Sequence, residues 1–288
     1  MSSDEGGPAP RSALPDLRER VGAYGFRLSG PLPPESLRVR GVAHWPALRI
    51  EVADNPTPAM NEYVLQRPEG AVCLDHDLRV ARLPGTTYTP LPDLVHPVFA
   101  AVGTLAAWAR GEVVLHAGAF VGESGAWVVL GNRERGKSTL LAEQHLRGLA
   151  IVADDICVIR ETVVCAGPRS LDLRPDAAAR LEIGLENPVR QGQRYRVNLP
   201  IIEGEVPLAG FVELEWSSEV KFVPLPPAER LRRLLTVNGR NPRVAPSALL
   251  ELAALPYFVL YRSPTEESGK RALSLLANAF PDVALQGG

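Results

Sequence analysis

The nine-residue stretch Gly131-Asn132-Arg133-Glu134-Arg135-Gly136-Lys137-Ser138-Thr139 constrains this chain more than any other. It reads G-x-x-x-x-G-K-S. The apolar run Ala126-Trp127-Val128-Val129-Leu130 precedes it and suits a buried strand; Thr139 to Leu146 follows and suits a helix. A glycine loop between a strand and a helix turns backbone N–H groups, and the positive end of the helix dipole, toward an anion. In that context the pattern reads as a phosphate-binding loop. Lys137 would reach the outer phosphates of ATP or another nucleoside triphosphate, and the Ser138 hydroxyl would sit on Mg²⁺. All nine residues from Gly131 to Thr139 are therefore expected at the nucleotide.

Composition narrows the classes. Of 288 residues, 45% are hydrophobic and 22% charged, as in ordinary globular proteins. A formal net charge of −2 argues against a polyanionic partner, so no nucleic acid is expected. No apolar run reaches the length of about 18 residues that a membrane span needs. The start, Met1-Ser2-Ser3-Asp4-Glu5, lacks the basic residues and apolar core of a signal peptide. Cys73, Cys157 and Cys165 are too few and too scattered for a disulfide framework or a zinc site. The expectation is a cytoplasmic protein with no membrane partner.

The fold class expected is α/β. Residues 1–17, rich in Gly, Pro, Ser and Asp, read as a disordered tail. Residues 18–91 read as a small strand-rich lobe, antiparallel, with strands near 23–28, 37–40, 48–52, 61–65 and 78–83. Residues 92–111 read as a linking helix ended by Gly111, in which His96 reads as a packing or surface residue. Residues 112–288 read as the nucleotide domain. It starts with one strand over 113–121, and Pro175 opens a later helix at the favoured first position. The segment 191–200 is polar and basic. A helix over 227–236 carries Arg230, Arg232 and Arg233, which read as a solvated face.

Three groups near the loop carry chemistry. Asp154 and Asp155 close an apolar run one helix and one strand after Lys137, which predicts a strand adjacent to the loop strand. Carboxylates there serve a metal or orient a nucleophile. Adjacent residues of an extended strand face opposite ways, so the two are expected to differ in role. His116 lies in an otherwise apolar or small strand, where a lone histidine reads first as a core residue. The arginines that follow (Arg174, Arg194, Arg196) include candidates for stabilising charge on a transferring phosphoryl group. Spacing does not choose among them.

Together, His116-Ala-Gly-Ala-Phe-Val121, Gly131-x4-Gly-Lys-Ser138 and Val152-Ala-Asp-Asp155 resemble the HPr kinase/phosphorylase C-terminal domain and its wider group of serine kinases. The match is close over residues 111–160 and follows only the general layout over 165–280. The resemblance implies an HPr-kinase/PEP-carboxykinase-like P-loop core. It makes Lys137 a phosphate ligand, Ser138 a Mg²⁺ ligand, Asp154 a metal support and Asp155 the general base. It makes His116 a site residue near the transferred phosphate, Asp172 a further Mg²⁺ ligand, and Arg194 or Arg196 a late active-site cation. It also implies a homo-oligomer. The group includes kinases that modify precursor peptides in bacterial natural-product pathways, which this chain resembles in size.

The loop departs from the family, with Arg133-Glu134-Arg135 where small residues are usual; without a third glycine it loses freedom for positive φ. No counterpart of the HPr-binding stretch is present, so HPr is not the expected substrate. The expected function is a Mg²⁺-ATP-dependent kinase acting on a Ser or Thr hydroxyl of a peptide or protein. The alternatives are a kinase for a sugar or free amino acid, and a nucleotide-binding regulator without transfer activity.

Overall fold

The computed structural model describes residues 19–86, 93–237 and 243–280. The expected tail at 1–17 and the start of the linking helix at residue 92 lie outside the described residues. The first part holds β1 (Arg20–Ala23), β2 (Phe26–Ser29), β3 (Arg38–Arg40), β4 (Ala47–Ala53), β5 (Glu62–Arg67), β6 (Gly70–Asp75) and β7 (Val80–Pro84). They lie in the order β3-β1-β2-β4-β7-β6-β5. The antiparallel expectation is corrected: β2 with β4, and β4 with β7, run parallel. The chain reaches β4 by way of β3, on the far side of β1, and so re-enters the sheet in the direction of β2.

The stretch expected as one strand over 23–28 is a hairpin. Tyr24 (φ 54°) and Gly25 (φ 80°) form its turn. Two positive φ values match the twist of the flanking strands, but the usual Asn-Gly signal is missing. Tyr24 is held there by packing instead. It is 2% exposed, its ring lies 5.6 Å from Phe99, and its N–H donates to the Ala166 carbonyl at 2.8 Å.

The linking segment begins with a wide turn over Leu94–Val98 and continues as α1 (Phe99–Arg110). Gly111 ends α1 in the left-handed conformation, φ 71°, its N–H donating to the carbonyls of Ala107 and Trp108. This is the glycine C-cap that the sequence predicts. His96 is extended rather than helical (φ −146°, ψ 125°).

The remainder follows in order: β8 (Val113–Leu115), β9 (Gly118–Gly122), β10 (Gly125–Leu130), α2 (Lys137–Leu146), β11 (Ile151–Ala153), β12 (Cys157–Arg160), β13 (Val163–Cys165), β14 (Ser170–Leu173) and α3 (Pro175–Leu181). Then come β15 (Pro188–Val189), β16 (Arg194–Asn198), β17 (Ile202–Glu203), β18 (Glu205–Trp216), β19 (Lys221–Pro224), α4 (Pro227–Val237), α5 (Pro246–Ala254), β20 (Tyr257–Arg262) and α6 (Glu266–Ala279). The central sheet runs β11-β9-β10-β18-β13-β12-β8, with β20 on β18 and β19 on β20. A small sheet, β14-β16-β15, stands apart. β17 returns to the first sheet and pairs parallel with β3.

β10 shows why the run before the loop is uniformly apolar. Ala126, Val128 and Leu130 belong to one buried cluster, Trp127 and Val129 to another. A strand covered on both faces loses its apolar–polar alternation. The first cluster is continuous with the core of the first sheet and α1; the second packs under α2 and α6, where Trp127 meets Phe280 at 4.4 Å.

One expectation about charge is corrected. Of the α4 arginines only Arg232 behaves as a solvated residue, pairing with Glu229. Arg230 donates to the carbonyls of Leu225 (2.7 Å) and Leu255 (2.9 Å). Arg233 pairs at 3.0 Å with Glu213, which is buried. Among the described residues no helix is long and apolar enough to cross a membrane.

Candidate active site

The loop leaves β10 at Gly131 (φ 142°) and enters α2 at Lys137 through Gly136 (φ 83°). Both glycines are required. A Cβ at Gly131 would lie 3.1 Å from the Leu214 carbonyl oxygen, and one at Gly136 2.6 Å from the Arg262 guanidinium. The expectation that a missing third glycine denies the loop further positive φ is corrected, because Glu134 itself adopts φ 70°. A non-glycine residue there costs about 1–2 kcal/mol. The Glu134 carboxylate accepts from Arg174 at 2.7 Å, which offsets part of that cost.

Arg262, at the end of β20, is 5% exposed and donates to the carbonyls of Arg135 (3.3 Å) and Gly136 (3.2 Å). Lys137 is also buried, and its ammonium donates to the Gly131 carbonyl at 2.8 Å. Burial holds Lys137 below the ordinary lysine range against the pull of Asp154 and Asp155. Arg133, Glu134, Gly136, Lys137, Ser138 and Thr139 line a cavity of about 780 Å³. Gly131, Asn132 and Arg135 do not; Arg135 pairs with Glu215 at 3.6 Å.

The acidic pair reaches this cavity by an unexpected route. β11 pairs with β9, and β9 with β10, so the pair follows a strand two away from the loop strand rather than adjacent to it. Nor does a pleat separate the carboxylates. β11 ends at Ala153, and Asp155 is left-handed at φ 68°. The Ser138 hydroxyl donates to Asp154 Oδ1 at 3.0 Å. Asp155 lies between two imidazoles: Oδ1 is 3.2 Å from His116 Nδ1, and Oδ2 is 3.6 Å from His96 Nδ1.

The surroundings drive the two carboxyls apart. Burial and the neighbouring Asp155 charge push Asp154 up to about 7. Burial acts the same way on Asp155, but the His116 hydrogen bond and the charges of His96 and Arg190 outweigh it and hold Asp155 at about 2. A consequence for stability follows. Asp154 has a folded value above its ordinary 3.8, so the folded state holds the proton more tightly. Its contribution to stability is full below the unfolded value and is lost as pH rises toward 7. The shift corresponds to roughly 4 kcal/mol. Without ligands, Asp154→Asn is expected to raise the melting temperature by several degrees at pH 8 and little at pH 4. Equal melting of variant and wild type at pH 8 would contradict this.

His116 sits in a break. The single strand expected over 113–121 divides into β8, which pairs with β12, and β9, which pairs with β10 and β11. The break leaves the imidazole about half exposed and beside Asp155. His96 was missed as a site residue. Nothing in its local sequence marks it, and only the path of the chain ahead of α1 brings it to Asp155. Arg169 was also missed. It is 1% exposed and donates to the carbonyls of Ile151 (2.5 Å), Val152 (3.1 Å) and Pro200 (3.0 Å), tying down the strand that precedes the acidic pair.

Asp172 faces the same cavity, but its carboxylate accepts twice from Arg196, at 2.8 and 2.9 Å. Arg196 is buried behind it and does not line the cavity, whereas Arg194 does. Among the described residues no group of three or more His, Cys, Asp or Glu side chains could hold a metal ion. The Ser138 hydroxyl and the Asp154 carboxylate match in kind the sparse donor set with which Mg²⁺ is held when substrate phosphates and waters complete its shell.

No protein-family model matches the chain, and comparison with curated proteins gives no match. Among solved structures the chain is similar to the HPr(Ser) kinase/phosphatase from Coxiella burnetii, at 10% identity over 58% of this chain and 95% of that one, with a TM-score of 0.28. A likeness this distant carries no argument about the site, whose chemistry rests on its own residues.

Proposed function

We propose that this protein is a Mg²⁺-ATP-dependent kinase that phosphorylates a Ser or Thr hydroxyl on a peptide or protein. One observation carries the reading. A glycine loop that opens a helix, a Ser138–Asp154 pair and a histidine-paired Asp155 meet in one cavity. The N–H groups at the start of α2, with Lys137, suit the β- and γ-phosphates. Ser138 and Asp154 would hold Mg²⁺, which when bound neutralises phosphate charge. Asp155, ionised and oriented by His116, would take the proton of the acceptor hydroxyl as that oxygen bonds to the γ-phosphorus and ADP departs.

The test is intact-mass analysis of Ser- and Thr-containing peptides incubated with the protein, ATP and Mg²⁺, beside a panel of sugars and amino acids. A gain of one phosphoryl group on peptide is expected. Lys137→Ala is expected to weaken ATP binding roughly 10- to 100-fold, the worth of a charged hydrogen bond to phosphate, and to remove turnover. Transfer to a small alcohol instead would replace the acceptor class. Tight ATP binding with no product on any acceptor would favour a nucleotide-binding regulator.

A further inference from the structure

The hairpin of β15 and β16 brings a second set of charges to the cavity. Val189 pairs with Arg194, and the loop between them holds three successive left-handed residues, Arg190 (φ 50°), Gln191 (φ 55°) and Gly192 (φ 80°). Two of these are not glycine, and such strain persists only where the surroundings impose it. The Arg190 N–H donates to Asp93 Oδ1 at 3.2 Å, and the Gly192 N–H to the Val189 carbonyl at 3.1 Å. Arg190 and Arg194 both line the cavity, as do Arg133 and Arg174.

These guanidiniums are poorly matched by the protein. Nε and Nη2 of Arg190 are shielded from solvent without a hydrogen bond; the nearest acid, Asp172, lies at 3.7 Å and already accepts twice from Arg196. Among the described residues the one hydrogen bond from the Arg194 guanidinium runs to the carbonyl of its neighbour Gln193. Arg133 makes no hydrogen bond or ion pair among the described residues. Among the described residues Arg174 has a hydrogen-bonded carboxylate partner, Glu134, whereas Arg190 has only the long ion pair with Asp172. Burial, then the like charges of Arg190 and Arg174, hold Arg194 below the ordinary arginine range. Exposed Asp176 also lines the cavity, and Asp154 and Asp155 occupy the catalytic end. The charge of Arg190 acts on Asp155 and His96, which places it beside the proposed general base.

We propose that the acceptor carries an anionic group, a carboxylate or a phosphate monoester, close to its reactive hydroxyl, and that Arg190 and Arg194 bind that anion. The inference rests on the kinase reading above for its acceptor. Guanidinium is a planar fork that matches either anion with paired N–H donors, and it stays charged even when partly buried. Nucleotide phosphates have their own partners at the loop and Lys137. An anion beside Arg190 and Arg194 relieves their repulsion and fixes the hydroxyl near Asp155.

The test reads binding without transfer. Fluorescent peptides with a central serine flanked by glutamate, by phosphoserine or by glutamine are titrated into protein saturated with Mg²⁺ and a non-transferable ATP analogue. The anionic peptides are expected to bind about tenfold or more tighter than the glutamine peptide. Arg190→Gln and Arg194→Gln should remove that preference and leave nucleotide affinity and melting temperature unchanged. Arg194→Lys should keep part of it. The stronger of the two anionic arms names the group. Equal binding of all three peptides, or loss of nucleotide affinity in the variants, would overturn the proposal. Because no turnover is needed, missing phosphorylated product would sink only the kinase reading, and missing charge preference only the anion site.

Discussion

Asparagine at position 155 is expected to slow single-turnover phosphoryl transfer by at least about 10²-fold, the usual worth of a positioned general base. ATP affinity should hold or tighten. The reason is geometric. Asp155 is bonded to His116, while Ser138 bonds Asp154, so the substitution leaves the nucleotide side intact. It also removes a negative charge that Lys137 feels. The amide keeps the size of the side chain and loses the oxygen that accepts a proton. Calorimetric titration with ATP alongside quench-flow transfer separates the two effects. Full transfer by Asp155→Asn would remove Asp155 from the mechanism. The pH profile is a second check. With Asp155 held at about 2, it is ionised throughout the ordinary carboxylate range and above. An acidic limb of the rate at higher pH therefore belongs to another group.

The second large effect is structural. Arg169→Ala is expected to destabilise the protein by on the order of 3–5 kcal/mol, lowering the melting temperature by roughly 10 °C. The guanidinium is almost wholly buried and serves carbonyls of Ile151, Val152 and Pro200. Truncation strands those acceptors away from water, and leaving buried polar groups unpaired costs more than the lost bonds themselves. The damage should centre on β11. Amide exchange is expected to accelerate over residues 149–155 before the rest of the central sheet, and transfer should fall even below the melting temperature. An unchanged melting curve would show that water replaces the guanidinium there.

Some elements were legible because their causes are local. Gly111 terminates α1 because the residue after a helix takes a left-handed backbone, and glycine takes it without strain. Pro175 opens α3 because its missing N–H has no partner at a first helical turn. The loop Gly131–Gly136 was legible because strand, turn and helix are consecutive in the chain. Other elements were hidden. The Tyr24-Gly25 turn has a tyrosine where asparagine or glycine is usual and is imposed by the packing of Tyr24 on Phe99. The break at His116 interrupts an apolar run with no glycine or proline at the break. β16 has the letters of a polar basic segment and is a strand all the same, because its arginines spend their charge on Asp172 and on the cavity rather than on solvent.

The acidic pair marks the boundary between the two kinds of information. Its residues and its place after the loop helix follow from sequence. That Asp154 meets Ser138, that Asp155 is left-handed, and that His96 and His116 flank it are decided by tertiary structure. The physical reason is range. Backbone preference, capping and apolar periodicity act over a few residues and leave their trace in consecutive letters. A carboxyl's ionisation or an arginine's partner depends on burial and on charges from distant elements, which only the folded chain brings within a few ångströms of one another.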